Sequence, residues 1–211
     1  IRHQEAGEFP GTFCKLIPDP CGDPAFCAVM HADGAGTKSS LAYLVYRETG
    51  DLRLFRQLAV DAVVMNLDDM LCVGTLGPFV LSNTIGRNAH VIDGACIQAI
   101  IEGYEDTCRM LAEYGIDMRL AGGETADVGD LARTLIVDAT CFARLSRTDV
   151  ISCENIQPGD VIVGLSSFGQ AAYETQYNAG MGSNGLTAAR HLLLHHDYAV
   201  KYPETYSPTI E

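Results

Sequence analysis

The chain contains no tryptophan and has only 14 Lys and Arg residues against 27 Asp and Glu, for a formal net charge of −13. That balance argues against a broad nucleic-acid or anionic-membrane surface, which needs clustered basic side chains. No apolar run approaches the roughly 20 residues of a membrane helix. The start, Ile1-Arg2-His3-Gln4-Glu5, has neither an initiator Met nor the apolar core of a signal peptide, so a longer gene product is expected. There is no internal repeat. The eight cysteines (14, 21, 27, 72, 96, 108, 141 and 153) form no CxxC pair and match no zinc spacing. Several sit in apolar stretches, where Cys acts as a small hydrophobe. The expectation is reduced structural thiols in a cytoplasmic protein.

What is present is enough for a globular domain. The chain has 211 residues, 47% hydrophobic and 19% charged, which excludes a disordered composition. Residues 1–24 read as an N-terminal loop segment, 25–200 as one domain and 201–211 as a linker. Ala25 to Met30 reads as a buried strand. Asp51 is placed to cap a long helix ending near Gly74, and Asp93 to cap a second ending at Gly115. Strands are expected over Leu76 to Ile85, Met118 to Ala121, Leu131 to Arg144 and Val161 to Leu165, and a helix from Gly185 through Leu194. Strands and helices mix without strict βαβ alternation. The fold class is therefore α+β, a largely antiparallel sheet with helices on one face, its other face needing cover.

Four constellations bear chemistry. In Asp33-Gly34-Ala35-Gly36-Thr37-Lys38 two glycines let backbone N–H groups approach an anion and Lys38 adds charge. The Walker A spacing is absent, and a tight turn after a strand is an equal reading. Asp61, Asp68 and Asp69 lie on the long predicted helix. Asp61 and Asp68 point within roughly 20° of each other, about 10 Å apart along the axis, which suits separate Mg²⁺ ions along a polyphosphate. Asp69 points roughly 80° away. The alternative is a solvated acidic face. Gly122-Gly123-Glu124-Thr125-Ala126-Asp127 follows a short strand, as ligand loops or plain turns do. Gly182-Ser183-Asn184-Gly185 opens a helix, where Ser183 or Asn184 caps it or the helix start binds phosphate. Of the histidines, His31 reads as a packed core residue and His195-His196 as a helix end.

Taken together and in order, these segments resemble the aminoimidazole ribonucleotide synthetase (phosphoribosylformylglycinamidine cyclo-ligase) family over most of residues 25–195. The family carries Asp-Gly-Val-Gly-Thr-Lys, a helical Asp followed seven residues on by Asn-Asp, then Gly-Gly-Glu-Thr-Ala-Glu, then Ser-Asn-Gly opening a helix. This chain departs in having Asp68 for the Asn, a longer Gln170 to Met181 segment and no visible N-terminal glycine-rich region. The resemblance implies ATP-dependent ring closure of formylglycinamidine ribonucleotide and a second domain beyond Glu211. It also implies a homodimer joined through the sheets. Asp33, Asp61 and Asp68 would hold Mg²⁺, with Asp69 a weaker candidate. Gly34, Gly36, Thr37, Lys38, Glu124 and Thr125 would bind ATP, and Ser183, Asn184 and Gly185 the ribonucleotide phosphate. No residue stands out as general base. Thiamine-phosphate kinase, selenophosphate synthetase and the hydrogenase maturation dehydratase share the ATP-binding superfamily. A nucleotide-binding paralogue without turnover is the non-enzymatic alternative.

Overall fold

A computed structural model describes residues 7–172, 174–177, 180–207 and 209. Its centre is a five-stranded mixed sheet. Strand β1 is Leu16–Pro18, β2 is Phe26–Gly34, β3 is Phe79–Arg87, β4 is Met118–Asp127 and β5 is Leu135–Ser146. The order across the sheet is β1-β2-β5-β3-β4. Every pairing is antiparallel except β3 with β4. Those two strands are joined by helix α3 (Gly94–Glu113), the crossover that a parallel pair requires. The expected α+β class with a largely antiparallel sheet therefore holds.

Strand β5 explains why the helices occupy one face. Its burial alternates residue by residue, with Leu135, Val137, Ala139, Cys141, Ala143 and Leu145 all in the core. Against this face pack α3 and helix α2 (Arg53–Leu71), which buries Phe55, Leu58, Ala62, Val63 and Met70. The two helices approach closely at Gly103, where a Cβ would lie 2.5 Å from the carbonyl oxygen of Arg56. Asp93 caps α3 as expected, accepting a hydrogen bond from the Cys96 amide at 3.0 Å, whereas the cap position of α2 is Leu52, and Asp51 just before it accepts from the Arg53 amide at 2.9 Å.

The opposite sheet face carries an apolar row. Met30, Phe142 and Val80 stand side by side on β2, β5 and β3, and Met30 is 65% exposed. Toward one end this face is partly closed by the loop before β2. There Asp19 receives two hydrogen bonds from Arg144, at 2.6 and 2.9 Å, and the Arg144 guanidinium stacks on Phe26.

Four local expectations are corrected. Residues 38–49 form a helix, α1 (Lys38–Thr49), that was not anticipated; it ends at Gly50 in the left-handed region. The 122–127 segment is not a loop after a strand but the second half of β4, because it pairs with β3 as far as Asp127 beside Arg87. Val161 to Leu165 forms no strand: it has no partner strand among the described residues, and Ile162 is fully exposed. A strand also occupies residues 16–18, inside the expected N-terminal loop. Beyond the sheet lie α4 (Leu186–Leu193) and α5 (Asp197–Lys201). Within the expected linker, Tyr202 and Thr205 are buried and Glu204 accepts a hydrogen bond from the Tyr43 hydroxyl of α1 at 2.8 Å.

The cysteines form no disulfide among the described residues. Burial pushes the thiols of Cys96 and Cys141 up to about 12, which suits packing rather than redox chemistry.

The Asp19–Arg144 pair yields a pH test. Hydrogen bonds from the Arg144 side chain hold the Asp19 carboxyl below its ordinary range. A depressed carboxylate stabilises the fold above its unfolded pKa and loses that contribution as pH falls. Asp19→Asn should lower the thermal midpoint at pH 7, and the gap from the parent should close as pH drops below about 4.

Candidate nucleotide and phosphate site

The geometry is organised by Asn66, a polar side chain fully buried on α2. Its amide nitrogen lies within hydrogen-bond reach of three carbonyl oxygens, Ala62 at 2.8 Å and Asp33 and Ala139 at 3.2 Å. Its oxygen faces His31 Nδ1 at 3.2 Å, and the other ring nitrogen of His31 meets Asp69 at 3.1 Å. This network ties the end of β2 to β5 and α2. His31 is thus a half-buried connector to Asp69 rather than a packed core residue. The sequence signal for Asn66 was a lone amide in a helix apolar nearly all round, and it was missed.

From this anchor the first motif leaves the sheet. The Asp33 carboxylate accepts from the Gly34 amide at 2.7 Å, and the Ala35 amide still donates to Val137 on β5. The Lys38 and Ser39 amides then turn back onto Ala35 and Gly36, and α1 begins with no side-chain cap. Lys38 reaches across to Asp61 on α2, Nζ to Oδ1 2.5 Å. That pair sits at one edge of a cleft of about 740 Å³ walled by Leu41, Val45, Leu58 and Met181. An apolar wall beside a fixed charge pair is the usual build of a small-molecule site.

The other motifs stand at different distances from this loop. Gly34, Asp138, Thr84 and Glu124 form one row across β2, β5, β3 and β4. At the usual strand spacing, Glu124 lies roughly 14 Å from Gly34 along that row. Thr125 is one step further on, beside Ile85. Asp138 was not anticipated. Its carboxylate occupies the space over Gly34, where a Cβ would come within 1.8 Å of it, so only glycine fits beneath. Burial and then the charge of Asp33 push the Asp138 carboxyl up.

The last motif is brought to the first by a side-chain contact, Thr37 to Thr187 at 2.5 Å. Gly185, with φ of 78°, occupies the cap position of α4, and neither Ser183 nor Asn184 caps the helix through its side chain, contrary to expectation. The Ser183 hydroxyl is buried without a hydrogen-bond partner.

The four acidic candidates are spread along this framework. Asp61 is engaged by Lys38 and Asp69 by His31. Asp68 lies at the surface, yet partial desolvation and then the Asp69 charge push its carboxyl up. Among the described residues no group of three or more His, Cys, Asp and Glu side chains forms a ready metal cage.

A strand-to-helix glycine loop, a Lys–Asp cleft and the start of α4 come together over the mixed sheet of an α+β domain. The chain belongs to the AIR synthase related protein family, whose N-terminal domain matches residues 21–145. It is 30% identical over 190 residues to the phosphoribosylformylglycinamidine cyclo-ligase of Thermococcus kodakarensis, covering 90% of this chain and 48% of that protein. The protein of the same name from Symbiobacterium thermophilum is 30% identical over 190 residues, covering 89% and 46%. The chain thus spans about half the length of the curated relatives it matches. Among solved structures, T. maritima PurL complexed with FGAR shares the fold with TM-score 0.50 and 18% identity, covering 72% of this chain and 21% of that one.

Two variants test the framework. Asn66→Ala strands buried carbonyls and His31, and should cost about 2 kcal/mol in urea unfolding. Asp138→Asn should raise the thermal midpoint at pH 7. A raised carboxyl penalises the fold once ionised, so the gain should fade as pH falls into the ordinary carboxylate range and the parent Asp138 takes up its proton.

Proposed function

We propose that this chain is the ATP-binding half of a phosphoribosylformylglycinamidine cyclo-ligase of purine biosynthesis. The reaction converts formylglycinamidine ribonucleotide and ATP to aminoimidazole ribonucleotide, ADP and phosphate. The formyl oxygen attacks the terminal phosphorus and releases ADP. An internal nitrogen then attacks the activated carbon and expels phosphate as the ring closes. The observation that carries this reading is the contact between the glycine loop and the start of α4. It joins the glycine loop, which leads into the Lys38–Asp61 pair, to the first turn of α4, two segments of the kind that bind anions through backbone N–H groups. The names of the relatives support the same reading.

In this reading Gly34, Gly36, Thr37 and Lys38 take the ATP phosphates, with Glu124 and Thr125 lining the nucleotide site from β4. Ser183, Asn184 and Gly185 face the ribonucleotide phosphate. Mg²⁺ would be held by Asp33, Asp61 and Asp68, with Asp69 secondary, and would supply charge neutralisation of the polyphosphate. The donor chemistry fits: these are hard oxygen ligands, and Mg²⁺ takes few carboxylates together with phosphate oxygens. Partial burial, and then the charge of Asp69, raise the carboxyl of Asp68, and a cation beside it would offset both. Lys38 exchanges its bond to Asp61 for phosphate when ATP enters. The exposed row around Met30 is the face through which two copies pair, and the undisulfided cysteines suit a reducing cytoplasm.

The test is phosphate release from ATP by the full-length protein with and without formylglycinamidine ribonucleotide. Release should depend on the ribonucleotide and should fall roughly a hundredfold in Asp61→Ala. Phosphate release indifferent to the ribonucleotide would rule the cyclo-ligase reading out.

A further inference from the structure

Arg190 is 4% exposed, and its buried Nε and Nη2 have no hydrogen-bond partner among the described residues. Among the described residues it forms no salt bridge, and its guanidinium lies over the ring of Tyr206, 4.2 Å from the centroid. A buried cation without a counter-charge is costly to keep, by several kcal/mol in general. Two further buried, unpartnered polar groups lie around it in the chain: the Ser183 hydroxyl at the entry to α4 and the Tyr206 hydroxyl on its cover.

The direction of the side chain explains the grouping. Helical side chains lean toward the helix N-terminus, and Arg190 shares its face with Leu186, one turn earlier and also buried. An arginine is long enough to span that turn, which brings its donors level with the start of α4. There the Leu186 and Ala189 amides have backbone acceptors, whereas those of Thr187 and Ala188 have none among the described residues, and no side chain caps the end. Free amides, the positive end of the helix dipole, a planar guanidinium fork and two hydroxyls are all donors. A carboxylate offers two oxygens to such a set; a phosphate monoester offers three and a second charge.

We infer that Arg190 is the specificity-determining charge for a sugar phosphate bound at the start of α4. The identity of that sugar phosphate as the ribonucleotide substrate rests on the function proposed above; the assignment of Arg190 does not.

The experiment titrates the chain with ribose 5-phosphate by calorimetry, with ribose as the uncharged control. The parent should bind ribose 5-phosphate and not ribose. Arg190→Gln should weaken binding at least about tenfold, the scale of one charged hydrogen bond, and Arg190→Lys should fall between. Mg-ATP affinity should be unchanged in both. Without ligand, Arg190→Gln should keep or raise the thermal midpoint, since it removes an uncompensated charge. Equal affinity of parent and Arg190→Gln for ribose 5-phosphate would overturn the inference, as would a parent that ignores ribose 5-phosphate. So would a fall of several degrees in the unliganded variant, the mark of a structural arginine. Sugar-phosphate binding that survives while ribonucleotide-dependent phosphate release fails would dismiss the cyclo-ligase and leave Arg190 standing.

Discussion

The buried amide of Asn66 is the constraint on which the site depends. It stands at the one place where β2 stops being sheet and begins to be loop, and its hydrogen bonds reach carbonyls on β2, β5 and its own helix. A backbone leaving a sheet has polar groups to satisfy, and burying them unsatisfied is expensive. Because Asn66 meets that need from α2, the glycine loop departs in one direction only. Lys38 then falls opposite Asp61 on the same helix that holds the loop in place. Anchor and charge pair are thus five residues, about a turn and a half, apart on α2.

Charge in the chain is managed locally rather than globally. Acids gather around this framework, where Asp138 pairs with Gly34, the residue after Asp33, and Asp68 adjoins Asp69. Asp61 is met by a cation of the protein itself, Lys38, and Asp69 by the imidazole of His31. Others stay with raised carboxyls. Arg190, the inverse case, is a cation with no acid paired to it among the described residues. The acid-rich framework favours cations, and the arginine favours an anion.

Two surfaces carry apolar side chains that the described residues leave uncovered. One is the sheet row around Met30, flat and opposite the helices. The other is Val161 to Leu165, which has the composition of a strand but lacks a neighbour to bond with. The requirement in both cases is the same. Apolar surface and unpaired strand edges gain by finding a partner, and burial in a single sheet serves only one of its faces.

Much of this was legible in the sequence. Asp51 and Asp93 announce their helices because capping is a short-range interaction between a side chain and amides two or three residues away. The alternation along 135–145 announces a half-buried strand, because successive side chains point to opposite faces. Asp33 to Lys38 and Ser183 to Gly185 could be singled out because glycine and hydroxyl residues have few other reasons to cluster. What tertiary structure alone decided are the pairings between distant segments. The parallel alignment of β4 on β3 turned 122–127 from loop to strand, because strand identity depends on a neighbour's hydrogen bonds and not only on local preference. The seat of Asp138 over Gly34 depends on register, and a shift of one residue would have turned that carboxylate into the core. The unpaired state of Arg190 follows from what packs around α4. Charge and partner are properties of three-dimensional proximity, and a sequence lists the first without the second.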